Sequence, residues 1–232
     1  MRRLLTVVLA AAGALGLAVP LGGAPPEPPG QLRILVDGQS IGRERYQITR
    51  TATEIQARSE VELEVGGQKI RQTSSLRLGA DLSPRSYEWK MESPGAAWVR
   101  LEFEGAVATL RYPLPDGTED QRVFEFETPR VALLDNNIFH HYLLLAEFYD
   151  YKAGGVQTVK VFIPQALQPG EARLELRGVE TLEVDGRPQP VRLLAITTED
   201  NEVLLWVTES GRFVRLRAPL TNAEVVPESA AP

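Results

Sequence analysis

Gly38-Gln39-Ser40-Ile41-Gly42 matches G-x-S-x-G, the pattern that places a serine nucleophile on a strained turn between a strand and a helix. That chemistry needs a helix after the serine. Here Glu44-Arg45-Tyr46-Gln47-Ile48-Thr49 follows, and it alternates like a strand. The glycines are therefore expected to serve a hairpin connection. His140 and His141 are the only two histidines. Neighbours on a helix point about 100° apart. A protein zinc site usually takes at least three ligands, and no H-E-x-x-H spacing is present. The expectation is one half-buried and one exposed helix histidine, with no metal. Glu62, Glu64, Glu102, Glu104, Glu125 and Glu127 offer carboxylates for glycosidic chemistry. Their period-two spacing is better explained by a solvated face with cross-strand ion pairs.

A cluster of apolar and aromatic residues is the remaining candidate. Phe139, Tyr142, Leu145, Phe148 and Tyr149 are the expected ligand-binding residues, with Tyr151 close by. The competing reading is ordinary packing between helix and sheet. The chain has no cysteine, which excludes disulfides, thiolate metal sites, cysteine nucleophiles and a lipidated anchoring cysteine. No catalytic residue and no cofactor is expected.

The elements that must position these residues are strands. Val61, Leu63 and Val65 interleave with Glu62 and Glu64, and Val99, Leu101 and Phe103 with Arg100, Glu102 and Glu104. Leu174 and Leu176, and Val214 and Leu216, repeat the pattern around charged neighbours. Such alternation puts one set of side chains in a core and the other in water. Asp37-Gly38, Gly66-Gly67, Pro94-Gly95, Asp116-Gly117, Pro169-Gly170, Asp185-Gly186 and Ser210-Gly211 are turn dipeptides that join strands by short hairpins. One segment breaks the rhythm. Thr128-Pro129 reads as a helix start, and Asp135-Asn136-Asn137 as the cap of a longer helix from about Asn136 to Tyr149, stopped by Gly154-Gly155. Leu134, Ile138, Tyr142, Leu145 and Tyr149 fall on one stripe, and Phe139, Leu143, Leu144 and Ala146 add apolar surface elsewhere. A helix greasy on most sides belongs inside a curved sheet.

The first residues bear on location. Met1-Arg2-Arg3 is a basic head, Leu4 to Val19 is mostly apolar and uncharged, and Gly22-Gly23-Ala24 offers small residues for cleavage. The segment 1–24 reads as a secretory signal; the rival reading is an uncleaved anchor, which the glycines and Pro20 make a poor membrane helix. Either way the body faces outward. Without residues 1–24, which carry two arginines and no acid, 208 residues remain, with 23 basic against 31 acidic side chains and a net charge of −8. That sign argues against nucleic acid or anionic lipid surfaces as the main partner. The expected organisation is a signal peptide at 1–24, a proline-rich linker at 25–30, one β-rich domain at 31–226 and a C-terminal tail at 227–232.

Asp37-Gly38 through Gly42, Glu44, Tyr46 and Ile48 resembles the opening of a broad group of exported bacterial domains of unknown function. Val159-Lys160-Val161-Phe162-Ile163-Pro164 resembles that group's mid-chain strand. Gly178-Val179-Glu180, Val203-Leu204-Leu205-Trp206-Val207 and Gly211 to Leu216 with Pro219 resemble its closing strands. The likeness spans Leu32 to Pro219. The group is similar in architecture to periplasmic lipoprotein-localisation carriers, in which a curved antiparallel sheet cups helices and holds acyl chains. The resemblance implies no catalytic set, and this chain has one main helical segment where the carriers have several.

The expected fold is mainly β, an antiparallel curved sheet forming a half-barrel or open barrel, with one helical segment near 129–150. The expected function is that of an exported, non-enzymatic protein of the periplasm or cell envelope that binds a hydrophobic small molecule or lipid, or another envelope protein. A structural scaffold with a filled core is the alternative, and a hydrolase the third.

Overall fold

The structure, a computed structural model, describes residues 29–93, 95–199 and 201–228. The expected signal peptide, most of the linker and the last residues of the tail lie outside the described residues.

Fifteen strands form a single sheet. The first half of the chain supplies β1 (Gly30–Val36), β2 (Gln39–Arg50), β3 (Glu54–Val65), β4 (Gln68–Gly79), β5 (Pro84–Ser93), β6 (Ala97–Glu104), β7 (Val107–Pro113) and β8 (Glu119–Glu125). The second half supplies β9 (Ala132–Leu133), β10 (Val156–Ile163), β11 (Gln168–Val184), β12 (Arg187–Thr197), β13 (Glu202–Thr208), β14 (Phe213–Ala218) and β15 (Ala223–Pro227). Each half is a meander, and the two are joined where β1 pairs antiparallel with β15, Ile34 opposite Val225. The order is β8-β7-β6-β5-β4-β3-β2-β1-β15-β14-β13-β12-β11-β10-β9, antiparallel throughout except for β9 beside β10.

The sheet curls without closing into a barrel. Its two edge strands are consecutive in sequence, and the short link between β8 and β9 keeps the edges together. They meet through side chains: the rings of Phe124 and Phe162 lie 4.7 Å apart, Phe126 contacts Phe162 edge-on at 5.7 Å, and Lys160 reaches Glu127 at 2.8 Å. Phe162 is wholly buried in this seam.

The expected alternation is present. In β3, Ile55, Ala57, Ser59, Val61 and Leu63 are buried while Arg58, Glu60 and Glu64 are exposed. β14 departs from it. A register shift between Trp206 and Val207 opposes Phe213 to Val207 and Arg215 to Trp206. Phe213 and Leu216 therefore enter the core, and Val214 joins a separate cluster with Val184, Val191 and Trp206. The turns that lie within the described residues hold with one exception. Asp37-Gly38 and Asp185-Gly186 both have φ near +50° and +70°, the two-residue hairpin conformation that asparagine, aspartate and glycine tolerate. Pro169-Gly170 lies inside β11 instead, and the reversal before it is a 3₁₀ turn at Pro164–Ala166 ended by Leu167 in the left-handed region. Pro219–Thr221, followed by Asn222, repeats that device before β15.

The helical segment is shorter than its apolar pattern suggests. Among the described residues only α1 (His141–Ala146) is α-helical. No helix starts at Pro129: Thr128 accepts a hydrogen bond from the Arg130 N–H in a local turn, and Ala132-Leu133 is drawn into the sheet beside β10. Asn137 at φ 63° prevents a continuous helix through Asn136. The stretch from Val131 to Tyr149 is nonetheless mostly buried and fills the inside of the curl as a plug.

Candidate functional site

The plug is tied to the sheet by a buried polar network. Glu44 points inward from β2 with no exposed surface. Its Oε2 accepts hydrogen bonds from the backbone N–H groups of Phe139 (2.9 Å) and His140 (3.1 Å), and its Oε1 lies 2.7 Å from His140 Nδ1. A carboxylate at the start of α1 satisfies N–H groups that the helix itself leaves open. The His140 ring stacks on Tyr46, 5.6 Å away and 8° from parallel, and His141 meets Tyr87 edge-on at 5.6 Å.

A second knot lies beside the first. Tyr87 from β5 donates its hydroxyl to Asp135 Oδ2 at 2.7 Å, while Asp135 Oδ1 accepts from the N–H groups of Asn136 and Gln165. Burial pushes Asp135 up to about 7 despite these donors, and burial with the neighbouring Asp135 pushes Tyr87 well above its ordinary value. Trp89 donates to Gln72, whose amide reaches the carbonyl of Asn136 at 3.5 Å.

Both histidines are fully buried, against the expectation of one half-buried and one exposed. The reason is the wrap: α1 lies inside the curl, so the helix faces that carry His140 and His141 pack against the sheet. Burial, with His140 beside it, holds His141 well below the ordinary imidazole range. His140 Nε2 and both ring nitrogens of His141 have no hydrogen-bond partner among the described residues. The sequence marks Glu44 as a strand residue and part of the resemblance, but not as a site residue. Its signal was an acid in the inward phase of a strand whose neighbours Tyr46 and Ile48 share that face.

The main cleft adjoins the plug and has a volume of about 940 Å³, at the upper end of the roughly 300–1,000 Å³ usual for small-molecule sites. Leu143, Ala146, Glu147 and Tyr151 form one wall, Leu32, Tyr46, Ile48 and Arg50 a second, and Val184, Arg192, Val207 and Phe213 a third. Glu183, Asp185, Glu209, Arg212 and Glu228 add charged groups to its lining.

The five residues expected to bind ligand sit elsewhere on the plug. Phe139 packs on the core and gives its N–H to Glu44. Tyr142 packs there too, and burial pushes its hydroxyl up to about 12. Leu145 is buried. Phe148 lies under the Arg130 guanidinium at 5.0 Å, and the buried Tyr149 donates its hydroxyl to the Gly155 carbonyl at 2.8 Å. None of the five lines the cleft; Leu143, Ala146 and Tyr151 on neighbouring turns do.

Ser40 is an exposed residue at the start of β2, just after the Asp37-Gly38 turn, with strand and no helix after it. The glycines around it have separate geometric causes. Gly38 turns the hairpin at φ 75°, and a Cβ on Gly42 would stand 2.1 Å from the Glu62 carbonyl oxygen. Among the described residues no group of three or more His, Cys, Asp or Glu is placed to hold a metal ion, and no helix is long and apolar enough to cross a membrane.

With this geometry in place, the chain is similar to a β-barrel-like protein of the domain of unknown function DUF1849 from Brucella abortus, with a TM-score of 0.58 at 10% identity over 86% of this chain and 94% of that one. The likeness is one of fold. A DUF1089 family protein from Pseudomonas aeruginosa shows a TM-score of 0.45 at 14% identity, over 74% of this chain and 87% of the other. No protein-family model matches the chain, and no curated protein matches it. The fold thus falls among uncharacterised β-barrel-like domains.

Proposed function

We propose that the protein is a non-enzymatic, exported component of the cell envelope that binds a hydrophobic small molecule or lipid. The observation that carries this reading is the cleft of about 940 Å³ between plug and sheet, lined by the buried apolar residues Leu32, Ile48, Leu143, Ala146, Val207 and Phe213 and by the partly exposed rings of Tyr46 and Tyr151. Export rests on the basic head and apolar run of residues 1–24. The resemblance of the sequence to a group similar in architecture to lipoprotein-localisation carriers belongs to the same reading. A non-enzymatic role is supported by Ser40, which is exposed at the start of β2 and followed by strand, where a nucleophile elbow needs a helix.

Native mass spectrometry of gently purified protein tests it. A bound mass matching a lipid or other apolar small molecule supports the reading. A bare mass, together with failure of the delipidated protein to take up a fluorescent fatty acid, overturns it.

The exposed character of β8, where only Phe124 is half-buried, favours a second reading. An edge strand presents unpaired backbone groups to which another chain can add. A scaffold that meets a partner there would show a bare monomer mass and a complex with an envelope protein.

A further inference from the structure

Three arginines line the cleft, and close carboxylates engage two of them. Arg50 makes a two-pronged contact with Glu147 at 2.5 and 3.1 Å, and Arg212 lies 2.5 Å from Asp185. Arg192 stands apart. It projects from β12 into the cleft with a side chain 25% exposed, and its ion-pair partner, Glu209, is 3.7 Å away and itself 68% exposed. The guanidinium is carried 4.2 Å from the centroid of the Tyr151 ring. The Tyr151 side chain also hydrogen-bonds Arg192, and a guanidinium carries five N–H donors in a fork that matches a carboxylate, more than these contacts use. Removing a cation from water without a tight partner is unfavourable, so an anion delivered to this position gains more than one offered to a solvated arginine.

We infer that the ligand of this cleft is an acyl carboxylate, an amphiphile with a single negative charge at one end, whose head meets Arg192 and whose chain runs along Leu143, Ala146, Val207 and Phe213. This rests on the ligand-binding reading above and names the class of ligand. The charged lining explains why one charge and not two. Glu183, Glu209 and Glu228 line the cleft, and their repulsion grows with each added negative charge, which disfavours a dianionic head such as a phosphate monoester. The chain has apolar wall on both sides, while the rings of Tyr46 and Tyr151 bring aromatic surface to either flank.

cis-Parinaric acid and its methyl ester share one chain and differ in the charge of the head. Titrated into the delipidated protein, the acid is expected to bind about tenfold or more tightly than the ester, the effect of one hydrogen-bonded charge pair. Arg192→Met keeps an unbranched stem over Tyr151 and removes the charge; it brings the acid to the affinity of the ester and leaves the ester unchanged. Glu209→Gln changes an exposed side chain and removes the competing carboxylate, so it tightens the acid and not the ester. This second variant decides the matter if Arg192→Met does not fold. Equal affinities for acid and ester, a preference that survives Arg192→Met, or an acid affinity unmoved by Glu209→Gln overturns the inference and leaves the hydrophobic-ligand reading standing. Binding of neither probe overturns that reading, and the inference with it.

Discussion

His140 Nδ1 lies 2.7 Å from Glu44 Oε1, and neither side chain has any exposed surface. Residues 96 positions apart in sequence thus join the plug to the second strand of the sheet. Removing the Glu44 side chain leaves a ring nitrogen and two backbone N–H groups without their acceptor. Each orphaned group costs about 1–3 kcal/mol. Glu44→Ala is expected to lose about 3–5 kcal/mol in urea unfolding, and Glu44→Gln, which keeps an acceptor oxygen, clearly less. Equal losses in the two variants would show that packing and not hydrogen bonding holds the plug.

Two buried groups set opposing pH dependences. His141 is held well below its ordinary 6.5 by burial, so the unfolded chain takes up a proton there that the folded chain refuses. Its contribution is complete above that value and falls as the pH is lowered through it. Asp135, raised from 3.8 to about 7, behaves oppositely: the unfolded chain ionises first, so stability is lost as the pH rises from 3.8 to about 7. Between those limits the two slopes, each up to about 1.4 kcal/mol per pH unit, offset one another. Asp135→Asn is expected to make stability fall on acidification below 6.5, and His141→Phe to make it rise. Urea midpoints measured across this interval in both variants check the signs; parallel profiles would refute the assignment.

The glycine after Ser40 is there for the backbone. Gly42→Ala drives a methyl group toward the Glu62 carbonyl oxygen and the Leu63 Cα of the adjacent strand, neither of which can swing away. A loss of about 1–3 kcal/mol is expected, as for other overpacked sites. Ser40→Ala, on an exposed position, is expected to stay within about 0.5 kcal/mol of the parent. Thermal unfolding of the pair distinguishes a geometric motif from a catalytic one, for which Ser40→Ala would abolish an activity while leaving the melting point alone.

Phe162 carries the seam between the sheet edges. Its ring is fully buried against Phe124 and Phe126, and Phe162→Ala is expected to cost about 3–5 kcal/mol. Phe124→Ala, from a half-buried position, costs less. A Phe162→Ala loss below about 1 kcal/mol in chemical denaturation would mean that the edges are not packed together in solution.

Tyr151 divides binding from folding. It is half-exposed, lines the cleft and lies beneath Arg192. Tyr151→Ala is expected to weaken fatty-acid binding by about 1–2 kcal/mol, or roughly five- to thirtyfold, through lost apolar contact and a less confined guanidinium. The unfolding midpoint should shift far less than in Phe162→Ala. Unchanged fluorescence titrations would place the ligand away from this wall.

The strands were legible because a period of two is local. Val61-Glu62-Leu63-Glu64 declares its inward and outward faces without reference to any other part of the chain, and Asp37-Gly38 and Asp185-Gly186 declare their turns in the same way. Local bulges escape that logic. Pro169-Gly170 is carried inside a strand, and Val214 changes faces because Trp206 and Val207 shift the register of a neighbour.

The apolar character of residues 131–149 told that the segment is buried, but not how it is shaped. Amphipathic spacing is a property of the chain, whereas the helix is cut to His141–Ala146 by Ala132-Leu133 pairing with β10 and by the positive φ of Asn137. Only the curl of the sheet brings Glu44 to His140, Tyr87 to Asp135 and Arg192 to Tyr151. These are encounters between residues far apart in sequence, decided by sheet twist and by which side chains fill the interior, and nearest-neighbour patterns carry no record of them.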